Sequence, residues 1–242
     1  MARKFDETPR LRIMMGDVVS LGPCKVALLE AINRAGTYSK TVGSPLYPVH
    51  VSTKESLPII RQFRESGLPL FTETCPHYLT LTNAEVISKG PLAKVGPPLR
   101  EKEDCEALWE ALADGTIDVI GSDSGGFTKA SKLNPVTNDN IFEAPYGLNT
   151  IEFMLPVVWS YGVNMNRISI PRVVQLFCEN PAKIFGIYPK KGLLAPGSDA
   201  DIVIWDPTKK HLVEHQHGNT DFSSFEGFKL LGMPELVMQR GE

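Results

Sequence analysis

No apolar run in this chain is long enough to span a bilayer, and Met1-Ala2-Arg3-Lys4-Phe5-Asp6-Glu7 at its start lacks the hydrophobic stretch of a secretory leader. A membrane or exported protein is therefore not expected. An excess of one charge is also missing. Lysine and arginine number 25 against 28 acidic residues, a net charge near −3, which leaves no electrostatic footprint for nucleic acid or an anionic membrane. Cysteine is scarce. Cys24, Cys75, Cys105 and Cys178 are far apart and form no CxxC pair, which argues against a disulfide framework. They read as reduced, mostly buried thiols of a cytoplasmic protein. Repeats and low-complexity tracts are absent. Histidine is scarce too: His50 is the first in the chain, and no His-x-His pair occurs before residue 211.

What is present is enough apolar sequence, 42% of 242 residues, for one large core or two smaller ones. Residues 1 to about 20 are irregular, and Cys24 to Ala35 carries Val26, Leu28, Leu29 and Ile32 at helical spacing, with Gly36 as a stop. Leu46-Tyr47-Pro48-Val49-His50 reads as a short strand, although Pro48 is unusual in one. Ser52-Thr53-Lys54-Glu55 resembles a capping box opening a helix that runs through Ile59, Ile60 and Phe63 to Gly67. Leu68 to Cys75 is the next apolar strand. Glu101 to Asp114 is a helix with Cys105, Leu108, Trp109 and Leu112 on one face. Gly115 to Ile120 is β-branched and short, a buried strand that ends at Asp123.

Beyond it, Gly125 to Gly147 is long, polar and rich in Gly, Asn and Pro, as functional or mobile loops are. Helices are expected over Asn149 to Tyr161 and Pro171 to Phe185, the second with proline in its first turn. After about residue 190, turns alternate with short β-rich runs: 200–205, 212–214 and 236–239. The alternation of strands and helices predicts an α/β protein with parallel strands. In such a barrel, polar residues at the C-terminal strand ends face the active site. His50 and Asp123 stand at two such ends, and imidazole and carboxylate are ligand types for a hydrolytic metal such as zinc.

Several motifs occur in order: His50-Val51-Ser52-Thr53-Lys54-Glu55, Glu73-Thr74-Cys75-Pro76-His77-Tyr78-Leu79, Gly96-Pro97-Pro98-Leu99-Arg100, Gly121-Ser122-Asp123, Asn180-Pro181-Ala182 and Pro196-Gly197-Ser198-Asp199-Ala200-Asp201-Ile202-Val203. His217-Gly218-Asn219 and Phe225-Glu226-Gly227 follow. From about residue 44 to the C-terminus the chain resembles the cyclic amidohydrolases (dihydropyrimidinase, hydantoinase, allantoinase and dihydroorotase), closest to the dihydropyrimidinase and hydantoinase branch. That resemblance implies an eight-stranded (β/α) barrel, a composite β-sandwich and a two-metal site. The implied ligands are an HxH pair on the first strand, a carboxylated lysine on the fourth, single histidines on the fifth and sixth, and an aspartate on the eighth. His50 matches the sixth-strand histidine and Asp123 the eighth-strand aspartate.

The other ligand positions have no counterpart in the chain, so the resemblance extends to the C-terminal portion of such an enzyme. The expected class is α/β, the C-terminal part of a TIM-type (β/α)8 metal-dependent hydrolase barrel followed by a small β-sandwich segment. The expected divisions are residues 1–43 as an irregular segment and helix, 44–189 as a partial barrel, and 190–242 as the sandwich tail. Three strands cannot close an eight-strand barrel, which points to a truncated portion or half of a split assembly.

Each candidate also has a plainer role. Without its context Asp123 is a loop or N-cap aspartate, and His50 a hydrogen-bonded structural histidine; the ordered motifs make both ligand positions. Asp123 also resembles the family's general base. His77, where many relatives carry Gln, reads as a strand-end histidine bonded to backbone. His211, His215 and His217 read as surface or turn residues, since the His-x-His pair follows the barrel. Gly96 stands where relatives place Ser or Asn against the substrate. Tyr146 falls near a substrate-contacting Asn of hydantoinases and serves equally as a packing aromatic. Arg100 and Glu73 read as fixing strand ends. Ser124 replaces the histidine that relatives usually carry after the aspartate.

The resemblance thus implies zinc or another divalent metal, a small cyclic amide substrate and possible homo-oligomers, with hydrolysis of the cyclic C–N bond as the reaction. The competing expectation is a non-catalytic member, as the dihydropyrimidinase-related proteins are, keeping the fold for assembly.

Overall fold

Three extended segments run side by side and parallel in the computed structural model, which describes residues 45–242. The helix expected over 24–35, and the whole 1–43 division, lie outside the described residues. The first segment, 46–51, is tied to the second by Leu46 N–H to Pro69 O (3.0 Å), Phe71 N–H to Leu46 O (3.0 Å) and Val51 N–H to Glu73 O (2.8 Å). The second segment holds β1 (Glu73–Thr74) and the third β2 (Val119–Ile120), paired in parallel with Glu73 opposite Val119. The ladders are short, and Pro48, which has no N–H to donate, still accepts from Glu73 N–H at 3.0 Å.

Helix α1 (Ser56–Glu65) packs Leu57 and Ile60 inward and ends before Gly67, whose φ of +80° a side chain would resist. It does not open on the expected capping box. The helix begins at Ser56, and the Thr53 and Ser56 hydroxyls pair at 2.7 Å instead. The buried Asp104 carboxylate, from another helix, receives Lys54 N–H at 2.9 Å, and Ser52 Oγ has no partner among the described residues. After β1 come α2 (Pro76–Thr80) and α3 (Asn83–Lys89), the latter with a capping box between Thr82 and Glu85. Helix α4 (Lys102–Asp114) follows expectation: Cys105, Leu108, Trp109 and Leu112 are buried, and left-handed Gly115 ends it.

The polar stretch after β2 is built, not open. It contains α5 (Lys129–Lys132) and α6 (Pro135–Asp139), each started by a side-chain cap, from Thr128 and Asn134. Lys132 is fully buried and donates to Lys94 O (2.9 Å) and Gly147 O. Lys94 in turn donates to Phe142 O (2.7 Å) and Ala144 O (2.6 Å). Two lysines thus supply donors to carbonyls of this stretch, and Lys94 O also accepts Gly147 N–H at 3.1 Å.

The helix expected from Asn149 begins later, as α7 (Met154–Val158) continued by a π-helical turn at Trp159–Val163. Asn149 is not free to start it, because its side chain is bound to Phe127 and Phe222 backbone groups. Helix α8 (Ile170–Val174) runs through a π-helical turn, Gln175–Glu179, into α9 (Asn180–Ile184). Pro181 has no N–H for the regular i to i−4 bond, a local reason for the wider turn before it.

The tail is one antiparallel ribbon, β3 (Ile202–Leu212) with β4 (Lys229–Met238). The expected break between 205 and 212 is a register shift between Asp206 and Lys210, around Pro207, rather than an end of the strand. Among the described residues no second sheet faces the ribbon. It leans on the helical layer: Trp205 packs on Trp159 at 5.1 Å, and Ser160 Oγ accepts Leu231 N–H at 2.9 Å. Val213, Phe225 and Leu230 join the same apolar core as Leu108, Ile117 and Val157. Among the described residues no helix is long and apolar enough to cross a membrane.

Candidate active site

The lower, N-terminal ends of the parallel strands are cross-braced. Arg64 of α1 pairs with Asp118 and donates to Gly115 O at 2.7 Å, while Asp118 also accepts Thr72 N–H at 2.7 Å. Arg172 of α8 reaches Leu112 O and Ile117 O, both at 2.7 Å, and Asn180 reaches Asp118 O at 2.8 Å. This frame fixes where the strands point, and therefore where their upper ends deliver side chains.

At those upper ends His50 Nε2 lies 3.7 Å from Asp123 Oδ1. Both residues have left-handed backbone, φ +53° and +45°. For a residue with a Cβ this conformation costs about 1–2 kcal/mol, less for Asp. Such strain persists only where the surrounding structure holds it. The two side chains come within 3.7 Å of each other, and each turns sharply off its strand to do so. Burial pushes the Asp123 carboxyl above its ordinary value, and His50 pulls it partly back. His50 Nδ1 is buried without a hydrogen-bond partner among the described residues.

Glu73 lies beside this pair. Its carboxylate accepts the Tyr47 hydroxyl at 2.8 Å and crosses over Gly121, where a Cβ would collide with it. Burial raises both the Glu73 carboxyl and the Tyr47 phenol. Gly121 is thus required by a close approach, and Glu73 is braced by Tyr47, in keeping with a residue that fixes a strand end.

His77 does not behave as expected. It sits in α2 rather than at a strand end, it is completely buried, and neither ring nitrogen has a hydrogen-bond partner among the described residues. Its ring packs on Tyr78 at 4.2 Å. Desolvation, with His50 nearby, drives its imidazole down to about 3, so it is neutral at ordinary pH. A neutral imidazole still carries one donor and one acceptor, and leaving either unmet costs roughly 1–3 kcal/mol. A ligand atom from each of Cys75, His77 and Asp123 lies within 4.8 Å of the others. Cys75 has no ligand role expected from sequence. The signal available was the Cys-x-His spacing directly after a strand.

Gly96 and Tyr146 are brought together. A Cβ on Gly96 would stand 3.0 Å from the Tyr146 ring, so the glycine leaves the room that the ring occupies. Lys94 Nζ sits 4.0 Å over the same ring. Tyr146 thus packs, with its edge still exposed. Ser124 is used structurally: its hydroxyl accepts Thr150 N–H at 3.2 Å beside a parallel bridge to Leu148. His211 stacks on Phe153, and exposed His217 pairs with Glu152 at 2.6 Å.

A sequence profile of the amidohydrolase family matches residues 36–242. Among curated proteins, the chain is 38% identical over 219 residues to a D-hydantoinase of Ralstonia pickettii, covering 88% of this chain and 47% of the relative. It is 39% identical over 214 residues to an L-hydantoinase of Paenarthrobacter aurescens, covering 88% and 46%. Among solved structures, a dihydropyrimidinase from Brevibacillus agri NCHU1002 superposes with a TM-score of 0.85 at 35% identity, over 90% of this chain and 48% of that one. A D-hydantoinase from a Bacillus sp. AR9 gives 0.85 at 38% identity. The chain spans about half the length of the curated relatives it matches.

Proposed function

The chain belongs to the amidohydrolase family, and we propose that it supplies the C-terminal half of the site of a metal-dependent hydrolase that opens a cyclic amide, of hydantoinase or dihydropyrimidinase type. The observation that carries this reading is the 3.7 Å approach of His50 to Asp123 from the tips of the first and third strand segments, across the second, each residue held in left-handed backbone. The donor set fits a divalent metal of zinc's class. It offers an imidazole with its Nε2 free for a ligand and a carboxylate with one oxygen turned toward it. His50 and Asp123 would hold the metal, which when bound supplies an acidified water and a polarised carbonyl. On this reading the remaining ligands come from a segment equivalent to the part of the relatives that this chain does not cover.

The protein's own part is proton handling and positioning. Asp123, half-buried and made more basic by desolvation, takes the proton of the attacking water and returns it to the leaving ring nitrogen as the C–N bond breaks. The strand frame beneath holds that carboxylate where both transfers are within reach. Gly96 contributes only backbone groups to the substrate, and the exposed edge of Tyr146 offers an aromatic wall in place of a side-chain amide. Both features suit a cyclic amide carrying an apolar substituent. The ribbon β3–β4 is taken as part of a β-sandwich completed by the upstream half.

A second reading, a non-catalytic family member kept for assembly, is favoured by Ser124, which offers no imidazole and spends its hydroxyl on Thr150. One experiment separates the two. The chain is joined in frame to the upstream half of the Ralstonia pickettii D-hydantoinase and assayed with hydantoin, dihydrouracil and allantoin. Ring opening that disappears in Asp123→Ala supports the enzyme. A joined protein that folds and binds metal yet opens none of the three rings defeats it.

A further inference from the structure

We infer that Cys75, His77 and Asp123 form a cation site of this chain's own, selective for a thiophilic divalent ion such as zinc or cobalt. The hydrolase reading gives a metal role to Asp123 and His50 alone; the thiolate and the second imidazole belong to no part of it. The two share Asp123, and in no other respect does this inference rest on that reading.

Three observations converge. One ligand atom from each residue falls within 4.8 Å of the other two, close enough for side-chain rotation to bring all three onto one ion. His77 is wholly buried, and both of its nitrogens are unpartnered among the described residues, although a buried imidazole ordinarily bonds at least once. Cys75 is also wholly buried and its thiol carries no disulfide, so it stands against the imidazole as a second unspent donor. Asp123, with a third of its side chain exposed, opens the group to solvent and gives an ion its way in.

Sulfur, imidazole nitrogen and one carboxylate oxygen make a borderline-soft set. It favours zinc and cobalt over magnesium or calcium and leaves a fourth position for water or a substrate atom. On binding, the Cys75 S–H bond breaks, its proton leaves to solvent, and the sulfur's electron pair goes to the ion. The neutral His77 binds through its free lone pair with no proton change.

The test uses the full chain carrying Cys24→Ser and Cys178→Ser, titrated with cobalt(II) and followed by absorption. The expected result is one equivalent bound, with a thiolate-to-cobalt charge-transfer band in the near ultraviolet and the visible bands of a four-coordinate ion. Cys75→Ser removes the charge-transfer band. His77→Gln, a polar replacement of similar reach, weakens cobalt binding at least tenfold. Far-ultraviolet circular dichroism checks that both variants fold; should Cys75→Ser unfold, His77→Gln carries the test. No cobalt bound, cobalt bound without the band, or affinity unmoved by His77→Gln overturns the site. None of these touches the ring-opening reading, which turnover of the joined protein decides; conversely, absent turnover with an intact band leaves this site standing.

Discussion

At the lower end of the parallel strands, Asp118 accepts from Arg64, from the Thr72 backbone and from the Thr72 hydroxyl. At the upper end, His50 Nδ1 and both nitrogens of His77 have no partner among the described residues, and His50 and Asp123 sit in left-handed backbone. The same three segments carry both ends, so the difference lies in what the side chains are asked to do. A braced end lowers the free energy of the fold. An end with buried, unspent donors and strained backbone raises it, and the lower frame offsets that cost. The contrast teaches where a ligand or an ion belongs: at the end where polar groups are paid for but unused.

The largest effect that sharpens this contrast is on chemistry. In the joined protein, Asp123→Asn should cut ring opening by roughly a thousandfold, the middle of the range for a lost proton-transfer group. Its denaturation midpoint should hold or rise, because an Asn accepts left-handed backbone and brings no buried charge. A steep fall in stability would break the assignment of strain to this end.

At the lower end the outcome reverses. Arg64→Ala strips the cation from Asp118, a carboxylate about four-fifths buried. That should cost about 3 kcal/mol, measured by denaturant unfolding of the chain. A loss below about 1 kcal/mol would show that this end is not the frame.

Lys132 offers an intermediate case. Lys132→Met leaves Gly147 O without its buried donor, while Lys94 O keeps Gly147 N–H, and should cost about 2 kcal/mol. Burial, with Lys94 nearby, pulls the Lys132 ammonium down to about 8 from 10.5. The unfolded chain therefore holds that proton more tightly, and stability should rise with pH between about 8 and 10.5. Below pH 8 both states are protonated and this pH dependence vanishes. Unfolding curves across that window should show the rise in the parent and not in Lys132→Met.

The smallest effect concerns thiols. Desolvation pushes the Cys105 thiol up to about 11, and its Sγ lies 3.5 Å from Leu81 O, so a thiol reagent should leave it unlabelled in the native chain. Exposed Cys178 should react first among the three described cysteines, as peptide mapping would show.

The helix over 102–114 was legible because its signals are local: a periodic apolar face, acidic residues in the first turn and a glycine stop. The π-turned helix through Pro181 and the β-rich tail were legible for the same reason, apart from their inner boundaries. His50 and Asp123 were legible as strand-end polar residues, with ordered motifs naming them. The expected capping box at 52–55 does not open the helix, which begins at Ser56 where the Thr53 and Ser56 hydroxyls pair, while Asp104, distant in sequence, takes Lys54 N–H. The long polar stretch reads as a functional or mobile loop because sequence gives no sign that Lys94 and Lys132 turn inward to meet backbone carbonyls.

By itself the sequence determined the alternation of strands and helices, the family, and which two strand tips carry an imidazole and a carboxylate. These depend on short-range periodicity and on residue order. Only the tertiary structure decided that the tips meet, that His77 is buried with nothing to bond, and that Cys75 stands beside it. Those facts depend on which segments lie next to one another across about fifty residues of chain, and a linear pattern holds no record of the empty space a buried side chain faces.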